Sequence, residues 1–343
     1  MTEQEYNQAE GIRRSDLIRM GRSPAHAKYA MEHPSEPTPA LVFGTAVHAF
    51  ILQPEEFTKQ FRVTDIDMRT KEGKALKAEA AEKGITLLNS ETFGQIEAMA
   101  EAIKANPYAS RLLTGDHETS HFWTDPETGE TCKCRTDCET DIGGTYYVVD
   151  LKTCGNASTE EFTRDAMKYG YFVQAAMYTE GVKAATGQDS VFVFVAVEKD
   201  PPYAVNVLQC SEDVIRIGMN GNGKTMGYRA LMDLYHKCRT EDRWPGYEGF
   251  ENTIQAMDVP KWMKTETQET AEPPKTESEP ALKTEKQYIS VRELAELLGI
   301  SLSSAYAMTR KPGFPWIKVS PRSIRVVVAE LNGWLKEHTG NKY

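Results

Sequence analysis

Apolar and polar positions follow two rhythms along this chain, and the changes of rhythm mark its elements. Four runs rich in β-branched residues, 118–124, 131–137, 146–152 and 191–198, read as strands, with a fifth near 203–209. Helical spacing precedes and interrupts them. Ser15 is placed to N-cap a helix over 16–20, and Ser23-Pro24 opens a second over 25–31, after which Pro34, Pro37 and Pro39 break the pattern. Residues 41–52 read as a buried helix, 68–83 as a charged one and 90–105 as a long one closed by Asn106-Pro107, and one helix is expected over 159–186. Mixed strands with helices before and within them predict an α/β sandwich.

A second pattern begins after residue 263. Residues 264–285 hold threonine, glutamate and proline, with one leucine and no aromatic residue; they have too little apolar surface to offset chain entropy and read as a flexible linker. From 286 a compact unit resumes. Ser290 and Glu293 form a capping box for a helix over 291–298 that Gly299 stops, Ser301 starts a second helix to about Arg310, 318–325 reads as a hairpin, and 328–338 as an amphipathic helix. Helix, turn, helix and hairpin predict a winged helix-turn-helix. The domains expected are therefore 1–263, 264–285 and 286–343.

Composition changes this picture in two places. The net charge of −10 is unevenly spread, because residues 286–343 carry nine Lys/Arg against four Glu, leaving −15 for the remainder. A nucleic-acid partner needs only a local basic track, so an acidic body does not exclude one. Cys132, Cys134, Cys138 and Cys154 cluster in sequence, but their spacing is not a usual zinc pattern, and reduced thiols of a cytoplasmic protein are the expectation. Neither a signal peptide nor a membrane span is expected from the hydrophobic runs.

The chemistry gathers on residues 148–153, Val-Val-Asp-Leu-Lys-Thr. On a strand Asp150 and Lys152 point to one face, placing a cation-binding carboxylate beside an ammonium able to orient water or a developing oxyanion. Asp137 closes the neighbouring strand-like run. Two carboxylates and a lysine at adjacent strand ends are what metal-assisted phosphodiester hydrolysis requires. His48 lies in an apolar helix, where a lone histidine is usually a core residue. Arg69, Lys71 and Lys74 offer phosphate contacts or simply a solvated face. Gln174 and Tyr178, four apart, share a helix face turned either to solvent or to the Asp150 strand.

Taken in order, Gly44 to His48, Arg69-Thr70, Glu118 to Ser120, Cys132 to Asp137, Val149 to Thr153 and Gln174 with Tyr178 make residues 1–263 resemble the PD-(D/E)XK nucleases, specifically the nuclease domain of exonuclease VIII, the RecE type of prophages. That resemblance implies an exodeoxyribonuclease using Mg²⁺, with Mn²⁺ compatible with a histidine ligand. It would degrade one strand of linear duplex DNA from the 5′ end, working as a homo-oligomeric ring such as a tetramer in the bacterial cytoplasm. The 3′ tail would pass to a RecT-type single-strand annealing protein. Carried across by position, His48, Asp137, Asp150 and the Leu151 carbonyl are metal ligands and Glu118 an outer carboxylate. Lys152 positions or activates water, and Gln174 and Tyr178 support the site. Residues 286–343 resemble the excisionase-type winged helix, with Ser303, Ser304, Arg310, Lys311, Arg322 and Arg325 the expected DNA contacts.

Two other readings compete. A DNA-binding regulator with an inactive nuclease fold is opposed by the retention of Asp137, Asp150 and Lys152. An NTPase is raised by Gly218 to Thr225, a literal G-x4-G-K-[ST], but the strands of a nucleotide domain should follow that loop and here they precede it.

Overall fold

The computed structural model describes residues 1–33, 35–254, 257, 288–320 and 323–338, so the expected linker and Arg322 lie outside the described residues. The chain divides into two compact units, Met1–Met257 and Asp258–Tyr343.

The first unit opens with helices α1 (Glu3–Gln8), α2 (Arg14–Met20), α3 (Pro24–Glu32), α4 (Pro39–Leu52) and α5 (Pro54–Gln60). Strand β1 (Phe61–Val63), α6 (Lys71–Glu82) and β2 (Thr86–Leu88) follow, then α7 (Ser90–Ala105) and α8 (Pro107–Leu112). The central strands are β3 (Asp116–Thr124), β4 (Thr131–Ile142) and β5 (Thr145–Cys154). After α9 (Thr159–Lys168) and α10 (Tyr171–Thr186) come β6 (Val191–Glu198), β7 (Val205–Gln209), α11 (Glu212–Asn220) and α12 (Tyr228–Thr240). The sheet order is β3-β4-β5-β6-β7, antiparallel except for the β5–β6 pair; β1 and β2 form a separate parallel pair.

Both faces of the sheet are covered, which is why β5 and β6 are apolar on both sides. Val149, Leu151, Val193, Val195 and Val197 pack with Val47 of α4 and with Ile96, Met99 and Ile103 of α7. Val148, Phe192, Phe194 and Ala196 face Phe162 of α9 and Ala175 and Val182 of α10. One buried carboxylate, Glu139, ties three strands together. It accepts from Thr136 Oγ1 (2.5 Å) and Tyr146 Oη (2.5 Å) and pairs with His121 Nε2 (2.6 Å), so each of its oxygens has a partner. Among the described residues no helix is long and apolar enough to cross a membrane.

Three expected boundaries moved in ways that matter here; the strand expected over 131–137 continues to Ile142, so Asp137 lies within β4 instead of closing it. The helix at 16–20 begins at Arg14 instead, because the Asp16 carboxylate reaches back to the Arg13 N–H (3.1 Å) and caps the turn before Ser15 can. The single helix over 159–186 is two, broken at Gly170, whose φ of +68° is left-handed. A Cβ there would meet Ile18 Cδ1 at 2.3 Å, so both the left-handed turn and the packing against α2 favour glycine at the break. The N-terminal α1 and the β1–β2 pair were not foreseen; three-residue strands leave little periodicity to read.

In the second unit, β8 (Tyr288–Ile289), α13 (Val291–Leu298), α14 (Leu302–Thr309), β9 (Trp316–Ser320), β10 (Ser323–Val327) and α15 (Val328–His338) surround a core of Leu294, Ala305, Phe314, Val326, Leu331 and Trp334. Its sheet order is β8-β10-β9, with antiparallel pairs. The Ser290–Glu293 capping box and the left-handed Gly299 frame α13, as the sequence predicts.

Gly181 sets how closely α10 approaches β3, since a Cβ would lie 2.6 Å from the Trp123 ring. Gly181→Val is therefore expected to destabilise the protein by about 1–3 kcal/mol through overpacking. Gly94, on α7 with nothing within 4 Å of its added Cβ, is the opposite case. Gly94→Ala should stabilise by about 0.5–1 kcal/mol. Urea denaturation of the two variants checks both signs.

Candidate active site

The site forms where the ladder between β4 and β5 ends. Pairing of β4 with β5 runs from Ile142–Thr145 to Cys138–Val149 and stops, leaving Asp137 and Asp150 as the next residues on each strand. Instead of a main-chain carbonyl, Asp137 Oδ2 accepts the Leu151 N–H at 2.7 Å. One carboxylate thus both closes the strand pair and lines the site. On its other side β4 pairs with β3, and the flanking pairs His117–Cys138 and Thr119–Thr136 set Glu118 opposite Asp137. Glu118 has φ of 55°, unusual for a non-glycine residue in a strand and worth about 1–3 kcal/mol of strain. Strain of that size persists only where the surrounding packing enforces it.

Helix α4 brings in the third group. His48 Nδ1 lies 3.4 Å from Asp137 Oδ2, and one donor atom each from His48, Glu118 and Asp137 lie within 4.8 Å of one another. Arg135 Nε lies 2.7 Å from Glu118 Oε2. Even so, burial, reinforced by the Asp137 charge, pushes the Glu118 carboxyl up to about 7. On β5, Asp150 is only 2% exposed, and burial raises its pKa, Lys152 opposing and Asp137 adding to the effect. Its Oδ1 accepts from the Gln174 side-chain amide of α10, and its Oδ2 lies against the Lys152 ammonium.

These residues fit a divalent cation. Imidazole and carboxylate donors converge, the carboxylates hold more negative charge than their neighbours neutralise, and two buried oxygens, Asp150 Oδ2 and Gln174 Oε1, accept no hydrogen bond of ordinary geometry. The arrangement differs from the expectation in one respect. Glu118, expected as an outer carboxylate, stands in the His48–Asp137 donor cluster, whereas Asp150 makes its contacts with Lys152 and Gln174. The Leu151 N–H is the main-chain group that touches Asp137.

Of the other expected residues, Tyr178 is near enough to feel the charges of the site, and the rest fall elsewhere. Tyr178 packs edge-on against Phe192 (6.2 Å), and burial raises its phenol, with Asp150 and Asp137 contributing. Arg69 pairs with Asp67 at 3.0 Å, and Lys71 and Lys74 are exposed on α6; no hydrogen bond or ion pair joins any of the three to the carboxylates. Among the described residues the donors that converge as a metal could require are those of His48, Glu118 and Asp137; the cysteines form no disulfide, and burial pushes the Cys138 and Cys154 thiols up to about 11. The Gly218–Thr225 stretch is no phosphate cradle, because Asn222 Oδ1 already accepts from the Lys224 and Thr225 N–H groups (3.0 Å each) and a helix, not a strand, leads into it. In the second unit Ser303, Ser304 and Arg310 lie on or at the end of α14, with Ser304 bonded to its cap Ser301 (2.8 Å), Arg310 and Lys311 exposed, and Arg325 half-buried on β10.

Arg135 escaped sequence reasoning. Its only signal is register: once Glu118 is known to oppose Asp137, Arg135 becomes the diagonal neighbour two residues away.

The Glu118 shift has a pH consequence. Raised to about 7 from an ordinary 4.5, this carboxyl keeps in the folded state a proton that the unfolded chain releases, so stability is lost as pH rises through that window. In metal-free protein, Glu118→Gln should therefore match wild type near pH 5 and exceed it at pH 8 by about 1–3 kcal/mol. Thermal melts across that range check it; a gap that is constant with pH contradicts the assignment.

Comparison with known proteins agrees with this architecture. No curated protein matches the chain. Among solved structures, a candidate exonuclease from Eubacterium rectale is 15% identical, with 76% of this chain and 96% of that chain covered and a TM-score of 0.51, a likeness of fold alone. SSO0001 (11% identity, 70% and 81% covered, TM-score 0.32) and VC1899 from Vibrio cholerae (13%, 68% and 57%, TM-score 0.20) are too distant to add to it. A family profile described as a PDDEXK-like domain of unknown function (DUF3799) matches residues 14–256, most of the chain, and this protein belongs to that family.

Proposed function

We propose that this protein is a metal-dependent exodeoxyribonuclease that degrades one strand of linear duplex DNA in the 5′-to-3′ direction. The observation that carries the reading is the convergence of His48, Glu118 and Asp137 beside an Asp150–Lys152 pair where β4 and β5 part. The name of the similar Eubacterium rectale protein supports the same class of activity. Mg²⁺ is the proposed ion, with Mn²⁺ able to replace it; when bound, such an ion polarises the phosphodiester and lowers the pKa of attacking water.

The residues of the chain supply the rest. His48, Glu118 and Asp137 would hold the cation, with Asp150 the adjacent carboxylate available to it. Lys152 sets a positive charge and three N–H donors beside the reacting phosphate, where it orients water or offsets developing negative charge. Gln174 fixes the Asp150 carboxylate from α10, and the Leu151 N–H fixes Asp137.

The second unit serves as a winged helix-turn-helix that holds the duplex. Its exposed Arg310, Lys311 and Lys318 make phosphate contacts, and α14 reads base edges through its exposed face. The remaining features of the RecE-type resemblance, a ring-shaped homo-oligomer and transfer of the 3′ tail to a single-strand annealing protein, belong to the same proposal.

End-labelled linear and closed circular duplexes, incubated with and without Mg²⁺, test the reading. Linear DNA should be consumed only with metal, releasing the 5′ label first, and circles should persist; nicked circles contradict an exonuclease. Asp137→Asn and Asp150→Asn should abolish cleavage, Gln174→Ala should lower it by about 10–100-fold, and Lys224→Ala should leave it unchanged. Full activity in either aspartate variant sinks the assignment.

Removing residues 258–343 should weaken DNA binding and flatten its salt dependence while leaving the rate at saturating DNA nearly unchanged. Gel-shift titrations of the truncated and full chains at two salt concentrations decide it, since identical salt slopes would remove the DNA-binding role of the second unit.

A further inference from the structure

Lys152 is the most mobile member of the constellation by chemistry: a point charge on a four-carbon stem, with 18% of its side chain exposed. Asp150 holds it on one side. If that carboxylate also ligates a cation, as the proposed function allows, it has less charge to offer Lys152. A second restraint is then needed, and it cannot be another anion without competing for the metal.

An aromatic ring meets that requirement. Lys152 Nζ lies 5.1 Å from the centroid of the Tyr171 ring, inside the roughly 6 Å over which an ammonium is drawn to a ring face. The ring itself is held from several directions. It is the first residue of α10, directly after the left-handed Gly170. Phe194, Tyr169 and Phe162 pack around it at 5.7, 5.9 and 6.1 Å. Arg14 of α2 lies on the same ring, its Cζ 5.5 Å from the centroid, and its Nη2 donates to the Tyr169 carbonyl. The close approach of α2 to Gly170, which a Cβ would prevent, keeps Arg14 there. Two elements remote in sequence, α2 and the start of α10, thus converge on the lysine of β5.

We propose that Tyr171, braced by Arg14, is a positioning residue that holds the Lys152 ammonium in its working orientation through the face of its ring. This rests on the nuclease reading for its consequence in catalysis, but the contact itself can be measured without metal or DNA. The phenol oxygen has no part in it; the ring is the functional group.

The test combines a spectroscopic signature with kinetics. Reductive ¹³C-methylation keeps the charge of lysine. In metal-free protein the Lys152 methyl resonance, assigned by its loss in Lys152→Arg, should be shifted upfield by the ring current, equally so in Tyr171→Phe, and should return to the ordinary position in Tyr171→Leu. On linear duplex with Mg²⁺, Tyr171→Phe should keep kcat within about threefold, while Tyr171→Leu loses about 10- to 100-fold in kcat with little change in KM, as expected of a misplaced catalytic group. Circular dichroism at the assay temperature establishes that the Leu variant is folded; if it is not, the resonance comparison of wild type with Tyr171→Phe and Arg14→Gln still decides, Arg14→Gln reducing the upfield shift. An unshifted Lys152 resonance in wild type, or a folded Tyr171→Leu with wild-type kcat, overturns the inference alone. A wild type with no metal-dependent cleavage overturns the nuclease reading, and the catalytic consequence with it, whatever the resonance shows.

Discussion

Three carboxylates, Glu118, Asp137 and Asp150, share a partly buried space at the end of the central sheet, and their mutual repulsion is the constraint that the surrounding structure accommodates. Burial and like charge both disfavour ionisation there, which is why Glu118 and Asp150 are raised rather than lowered despite Arg135 and Lys152. Each carboxylate is held by a different device: a main-chain N–H for Asp137, a side-chain amide and an ammonium for Asp150, a guanidinium for Glu118. None of these donors completes the site electrically. A protein stores unfavourable charge of this kind where something positive is to bind.

The fold makes that storage tolerable by concentrating it at one place. Apart from the site, the sheet packs mainly apolar residues on both faces, aliphatic on one and largely aromatic on the other, and its buried Glu139 is fully satisfied by His121, Thr136 and Tyr146. The contrast between Glu139 and Glu118, on adjacent strands, separates a structural carboxylate from a functional one. The first has a partner for each oxygen; the second is raised toward neutrality and twisted into a left-handed backbone conformation. Strain and a raised carboxyl fall on the same residue, as expected where local stability is given up for chemistry.

The two units differ in character. The nuclease-like unit is acidic and carries the metal-competent cluster; the second unit has the concentrated positive charge and a small core of its own around Leu294, Leu331 and Trp334.

How much of this was legible in the sequence divides by range. Alternation in 146–152 and 191–198, the capping box at Ser290 and the stop at Gly299 are local properties, set by side-chain direction and backbone hydrogen bonding within a few residues, and they appear in the structure where the sequence places them. Asp150 and Lys152 share a face for the same local reason. Other features depend on what a segment meets. Residues 159–186 have continuous helical spacing, yet the helix breaks at Gly170, which takes a left-handed conformation and lies so close to Ile18 that no Cβ fits there. Glu118 reads as an ordinary strand residue until the β3–β4 register sets it opposite Asp137, and Arg135 and Tyr171 carry no signal at all before that register and the packing of α2 are known. Periodicity determines elements because it is written in neighbouring residues; a site is assembled from residues far apart in the chain, and only the closing of the sheet decides which of them meet.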